Sequence, residues 1–306
     1  MIVVVGESLV DLVPQDGERL RAHLGGGPFN TARALGRLRR PVSFLGAMST
    51  DPLGARLLSA LIADGVSIDT VVETDAPTTL ALASIAESGS ASYNFYVADT
   101  AASRLTPDQA VDALPDDLDA VCAGSLGLVL EPIAAAVTAV VEASAARGAL
   151  VLIDPNIRAS LITGRRAYLD RLHRALAATH VVKASVEDLD WLAPDEPPAA
   201  AARELLRHGP AVALVTRGGD GALIVTPEEE LEVPAPPVAV VDTIGAGDAF
   251  SAGFLASWHE RRLSRSALSD LDVVAQAVRV AVLVASRTCE RAGASPPYLD
   301  EVREAF

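Results

Sequence analysis

Cysteine is scarce in this chain. Cys122 and Cys289 stand far apart and no Cys-x-x-Cys occurs, so neither a disulfide framework nor a zinc cluster is indicated. Cys122 follows apolar residues and reads as a small buried hydrophobe. Lysine is scarcer still: of 25 basic residues, Lys183 alone is a lysine. No Gly-x-x-x-x-Gly-Lys-Ser/Thr exists, which excludes a P-loop nucleotide enzyme. No Gly-x-Gly-x-x-Gly follows the first strand-like run, so a dinucleotide-binding oxidoreductase has little support. The five histidines include no His-Glu-x-x-His, which disfavours a zinc hydrolase. Basic charge is outweighed by 40 acidic residues, for a net charge of −15. That balance argues against nucleic-acid and anionic-membrane partners. No apolar run approaches the roughly 20 residues of a membrane span. The start, Met1-Ile2-Val3-Val4-Val5-Gly6-Glu7, lacks a basic leader and meets a charge too early for a signal peptide. A cytoplasmic location is expected.

What is present suits a large α/β fold. Half of the 306 residues are hydrophobic, enough for a sizeable core. Residues 2–5 form a β-branched run of the kind buried on both faces of a sheet. From residue 120 onward, strand-like runs (120–123, 150–153, 181–183, 212–215) alternate with helical ones (132–146, 166–178, 199–208), predicting a doubly wound, mostly parallel sheet with helices on both faces. Helices are also expected over 31–39, 52–64, 249–260 and 273–288, and a strand over 42–46. Residues 70–100 mix β-branched, aromatic and polar residues in short, half-exposed strands, which predicts a small sheet apart from the main one.

The chain is organised around Asp242-Thr243-Ile244-Gly245-Ala246-Gly247-Asp248-Ala249-Phe250. A strand-like run, 237–241, precedes it and an apolar helical run follows. Two glycines let the chain turn tightly and expose successive N–H groups. At a helix N-terminus those donors favour an anion, and Asp248 sits in the same corner. A phosphate cradle beside a carboxylate suggests phosphoryl transfer, with Asp248 taking a proton from an attacking hydroxyl. Taken alone, the same residues also suit a structural turn with Asp248 as an N-terminal cap.

The resemblance decides between them. Asp-Thr-Ile-Gly-Ala-Gly-Asp-Ala-Phe resembles the C-terminal signature of the ribokinase-like (PfkB-type) carbohydrate kinases. Residues 25–54, with Gly25-Gly26-Gly27-Pro28-Phe29-Asn30, resemble the N-terminal signature of the same family. The Gly-Glu-x-x-x-Asp opening and the Gly-Gly-x-Pro-x-Asn form are most similar to bacterial fructokinases. The resemblance covers nearly the whole chain and implies one kinase domain over 1–306, with a lid sheet from roughly 9–25 and 70–100 that closes over the sugar and often forms a homodimer contact.

Its implications for individual residues follow the motifs. Asp11, Gly25, Gly26 and Asn30 would hold sugar hydroxyls. Phe95, in Tyr93-Asn94-Phe95-Tyr96-Val97, would touch substrate from the lid. Asn156 and Arg158, in Asp-Pro-Asn-x-Arg, would lie between sugar and phosphates, Arg158 neutralising charge on the group in transfer. Lys183, Ser185, Thr216, Gly218 and Gly221 would line the ATP site. Related kinases often carry Asn-x-x-Glu where this chain has Ser185-x-x-Asp188, so Asp188 or Glu187 would serve Mg²⁺ through water or phosphate. Ser185 is equally suited to cap the next helix. Gly245, Ala246 and Gly247 would stabilise the migrating phosphoryl group and Asp248 would act as base. A K⁺ site near Asp242 is implied by relatives, although Pro297 stands where ribokinases supply a serine.

The leading expectation is an ATP-dependent sugar kinase, with fructose giving fructose 6-phosphate. Within the fold the rivals are a 2-keto-3-deoxygluconate kinase, which wants a cation where Val97 stands, and a nucleoside or ribose kinase. A non-catalytic sugar sensor is the rival of another class, and the intact Gly-Ala-Gly-Asp argues against it.

Overall fold

A computed structural model describes residues 1–15, 18–85 and 91–306. The chain begins with β1 (Ile2–Val5), fully buried, then forms β2 (Leu9–Pro14) and β3 (Leu20–Gly25). Next come α1 (Gly27–Arg37), β4 (Val42–Leu45), β5 (Ala47–Ser49) and α2 (Pro52–Ala63). Three short strands follow, β6 (Val72–Thr74), β7 (Leu80–Ile85) and β8 (Ala91–Tyr96).

Regular alternation then sets in: α3 (Pro107–Asp112), β9 (Ala120–Gly124), α4 (Ile133–Ala146), β10 (Leu150–Asp154), α5 (Arg165–Leu176) and β11 (Val181–Ser185). After α6 (Val186–Leu192) and α7 (Pro198–Leu206) come β12 (Val212–Thr216), β13 (Ala222–Val225) and β14 (Glu230–Val233). Two long helices, α8 (Ala246–Glu260) and α9 (Leu271–Cys289), complete the core.

The central sheet runs β14-β13-β12-β11-β10-β9-β1-β4. It is parallel except at one edge, where β12, β13 and β14 pair antiparallel. Apart from the edge strand β14, its strands are buried on both faces, and successive side chains enter opposite cores. Ile2 and Val4 join the core beneath α1, α8 and α9, whereas Val3 and Val5 join the one beneath α4 and α5. α8 is buried without interruption from Ala249 to Trp258, as expected of a helix apolar all round. It meets α9 closely: a Cβ on Gly253 would lie 2.8 Å from the Ala281 Cα.

The separate small sheet exists, in the order β3-β2-β7-β8. Residues 16, 17 and 86–90 of the expected lid lie outside the described residues. One strand expected there belongs elsewhere: β6 pairs with β5 in a two-stranded ribbon. Residues 237–241 are not a strand. Pro234, Pro236 and Pro237 remove the N–H groups a ladder needs, and Val240 and Val241 are exposed. The segment is tied instead to the end of α9, where the Val241 and Asp242 N–H groups donate to the Cys289 carbonyl at 2.8 and 3.2 Å.

Candidate active site

Parallel strands place their loops together at their carboxyl ends, and the first walls of the cleft come from there. Glu7 follows β1, Ser125 follows β9, and Asn156 and Arg158 follow β10. The small sheet contributes Asp11 from β2 and Tyr93 and Phe95 from β8. Asn30 comes from α1, and Thr243 through Asp248 close the cleft at the head of α8. These residues line one cavity of about 450 Å³. Asp11, Gly26, Asn30, Phe95, Asn156, Arg158, Gly245, Gly247 and Asp248 are thus brought together as expected from sequence. Gly25 and Ala246 flank the cavity without lining it.

Gly245 is required twice over. It takes φ +79°, in the left-handed region, and a Cβ there would meet Ala294 at 2.7 Å. The turn leaves the N–H groups of Gly247 and Asp248 with no acceptor among the described residues, the usual state of a helix's first turn. Asp248 accepts from Asn30 Nδ2 at 2.9 Å. Burial raises its carboxyl to about 6, against the Asn30 hydrogen bond that pulls it down. Asn30 keeps its Oδ1 buried without a partner. Across the cleft, burial lifts Asp11 to about 6, with Arg158 opposing. A Cβ on Gly25 would lie 2.2 Å from the Asp11 Oδ2, so that glycine makes room for the acid. Arg158 is aimed by its own loop: Nη1 donates to the Asn156 Oδ1 at 2.7 Å, and Asn156 itself takes φ +41°, a conformation asparagine tolerates better than most residues.

Two side chains of the cleft lie inside quoted motifs but carry no assigned role there. Glu7 is 1 % exposed; burial pushes its carboxyl up to about 7, against its own backbone N–H, Ser125 and Arg158. Its Oε2 has no partner. Its advance signals are its place in the Gly-Glu-x-x-x-Asp opening and just past the first buried strand. Tyr93 stands beside Phe95, ring centroids 6.2 Å apart. The two lie two positions apart on β8, so the alternation of strand side chains carries both to one face.

The expected nucleotide residues divide. Ser185 and Thr216 are register partners at the ends of β11 and β12. Gly218 opens to solvent, with no atom within 4 Å of where a Cβ would stand. Gly221 does not face that opening: it is buried, at φ +86°, and a Cβ would strike the Val233 carbonyl at 2.1 Å. Its role here is to close the β12–β13 hairpin. Lys183 is also buried, 4 % exposed, with Nζ 2.8 Å from the Asp154 Oδ2. Burial disfavours its charge, but Asp154 and Asp188 outweigh burial and raise its pKa. The ammonium lies directly under the first turn of α8, 2.9 Å from where a Cβ on Gly247 would stand. It therefore packs beneath the first turn of α8, paired with Asp154.

Asp188 has structural duties. Oδ1 accepts from the Ile157 N–H at 2.7 Å, and Oδ2 from the Ser185 N–H and hydroxyl at 2.9 and 2.8 Å. The Ser185 hydroxyl in turn caps α6. Glu187 is exposed on the first turn of the same helix. No group of three potential ligands is placed to hold a metal among the described residues. Asp242 likewise spends both oxygens on the Ile244 and Gly293 N–H groups, at 3.0 and 2.8 Å. Neither acid arrangement amounts to a prepared cation cage. No helix among the described residues is long and apolar enough to cross a membrane.

Known proteins are similar to this chain in sequence and in fold. The family model "pfkB family carbohydrate kinase" matches residues 1–301. A fructokinase of Rhizobium leguminosarum bv. trifolii is 36 % identical over 277 residues, covering 89 % of this chain and 84 % of that protein. A Klebsiella pneumoniae fructokinase is 33 % identical over 83 % of each chain. Among solved structures, the ATP-bound fructokinase of Xylella fastidiosa superposes with a TM-score of 0.91 at 29 % identity, covering 99 % of this chain and 97 % of its own. The aminoimidazole riboside kinase of Salmonella enterica, complexed with aminoimidazole riboside and an ATP analogue, gives 0.87 at 25 % identity over 99 % of each. The sequence signatures, the ribokinase-like architecture and these relatives lead to one conclusion: the chain belongs to the pfkB family of carbohydrate kinases.

Proposed function

We propose that this kinase transfers the γ-phosphoryl group of ATP to a primary hydroxyl of fructose, giving fructose 6-phosphate. The observation that carries the reading is the meeting of Asp248 and the two unpaired N–H groups of α8 with Asp11, Asn30, Asn156 and Arg158 in one cleft. The relatives named as fructokinases support the choice of sugar.

In this reading Asp11 and Asn30 orient the sugar by hydrogen bonds, and Tyr93 and Phe95 cover its apolar side from the lid. Asp248 accepts the proton of the attacking hydroxyl. The oxygen then bonds to the γ-phosphorus as the bond to the ADP oxygen breaks. The Gly247 and Asp248 N–H groups and the Arg158 guanidinium stabilise the charge on the phosphoryl oxygens. Magnesium arrives as part of the nucleotide substrate. The lid excludes water that would otherwise hydrolyse ATP, and its exposed Leu20 and Tyr96 suit a homodimer contact.

Asp248→Asn is expected to retain ATP binding and lose turnover by about 100- to 10,000-fold, the usual contribution of a general base. ATP consumption over a panel of ketoses, aldoses, keto-acids and nucleosides tests the sugar. Tyr93 and Phe95 would also stack on a heteroaromatic ring, so preferred turnover of a nucleoside would replace the fructose reading.

A further inference from the structure

A second cavity lies at the other end of the sheet, against the amino ends of β9 and β10. Its volume is about 740 Å³, larger than the catalytic cleft. Ala120, Leu150, Leu255 and Trp258 give it a buried apolar floor. Arg147, Arg262 and Arg265 stand exposed around it. The side chains of Arg147 and Arg262 have no hydrogen-bond or ion-pair partner among the described residues. Arg265 Nη1 donates to the Ala145 carbonyl at 3.2 Å and lies 3.0 Å from His180 Nε2. The carboxylate in the wall, Asp119, is already engaged by the Met1 ammonium and by His259, whose Nε2 is 3.4 Å away.

Behind the wall, the indole N–H of Trp258 and Nδ1 of His259 are closed off from solvent and unpaired among the described residues. Cations near helix C-termini commonly offset the dipole, and that accounts for Arg147 at the end of α4. It accounts equally for Arg262, which follows the α8 C-cap at φ +49° with its N–H donating to the His259 carbonyl, but not for Arg265, which stands beyond both helix ends. In a chain with net charge −15, three guanidiniums around one opening form a local field opposite to that of the whole molecule.

We propose that this cavity is a second binding site, for a small phosphorylated organic anion whose body rests on the apolar floor while its phosphate meets Arg147 and Arg262. The site is remote from the reacting groups: α8 carries Asp248 in its first turn and Trp258 in its last, and its 15 residues span about 22 Å.

Trp258 is one of two tryptophans, so Trp191→Phe makes it the sole reporter. Phenyl phosphate, with a body and a phosphate, is titrated into that protein against inorganic phosphate and against potassium chloride at matched ionic strength. Phenyl phosphate is expected to change Trp258 fluorescence saturably, with a dissociation constant at least fivefold below that of inorganic phosphate. Arg147→Ala with Arg262→Ala raises that constant at least tenfold, while Asp248→Asn leaves it unchanged. Both arginines are exposed, and the melting temperature verifies folding; should the double variant fail to fold, Arg262→Gln makes the same comparison. A linear change, a response matched by potassium chloride, or an undiminished response in the arginine variants overturns the proposal.

Discussion

At the scale of single residues, burial decides the chemistry of the cleft. Asp248 is held near 6, so the proposed base is unprotonated at neutral pH yet still basic enough to accept a proton. kcat/KM is expected to rise with pH through about 6 and then level off; a profile flat between pH 5 and 7 would deny Asp248 that role. Glu7 is the more costly group. Its carboxyl is at about 7 in the fold, against an ordinary glutamate value of 4.5, so the folded chain binds the proton more tightly than the unfolded one. Stability therefore falls as pH rises from about 4.5 to 7. Glu7→Gln removes that penalty. Thermal melts should show it stabilised at pH 8, by on the order of 1–3 kcal/mol, and little changed near pH 5. Lys183 is the reverse case, a buried cation whose loss strands Asp154. Lys183→Met should cost about 3–5 kcal/mol in urea unfolding, and adding Asp154→Asn should recover most of it.

At the scale of elements, the turn before α8 is the sensitive joint. Gly245→Ala meets both a left-handed φ and the Ala294 backbone, so a loss beyond the about 1 kcal/mol of an ordinary Gly→Ala change is expected, with turnover falling alongside. Gly218→Ala is the control. Its φ is +56° but nothing lies within 4 Å, and only the conformational cost of about 1 kcal/mol applies. Comparing unfolding midpoints and rates of the two variants separates conformational strain from steric clash. α6 is a second joint. Its capping pair Ser185–Asp188 also holds the Ile157 N–H, so a helix end and the Arg158 loop share one carboxylate. Asp188→Ala should cost about 1–2 kcal/mol for the cap and also lower kcat by releasing that loop.

At the scale of the whole molecule, the cleft exists only where the central sheet, the small sheet and α8 meet, and its occupants should bind to the folded chain alone. A non-hydrolysable ATP analogue with fructose, each at about 100 times its dissociation constant, should stabilise by about 2.7 kcal/mol per ligand. Thermal shift with the pair, against either alone, reads any further gain from lid closure.

Much of this organisation was legible in the chain. The β-branched runs, the strand–helix alternation and the glycine-bounded signatures are local patterns, and local backbone preferences make them elements wherever they stand. Only the tertiary structure decided that residues 237–241 hang from Cys289 instead of pairing, that β6 joins β5, and that Lys183 lies beneath Gly247. It alone brought Glu7 and Tyr93 into the wall beside Asp11 and Asp248. The reason is physical: a residue's own neighbours set its backbone, whereas water exclusion, charge pairing and shared cavities depend on groups brought close only by packing.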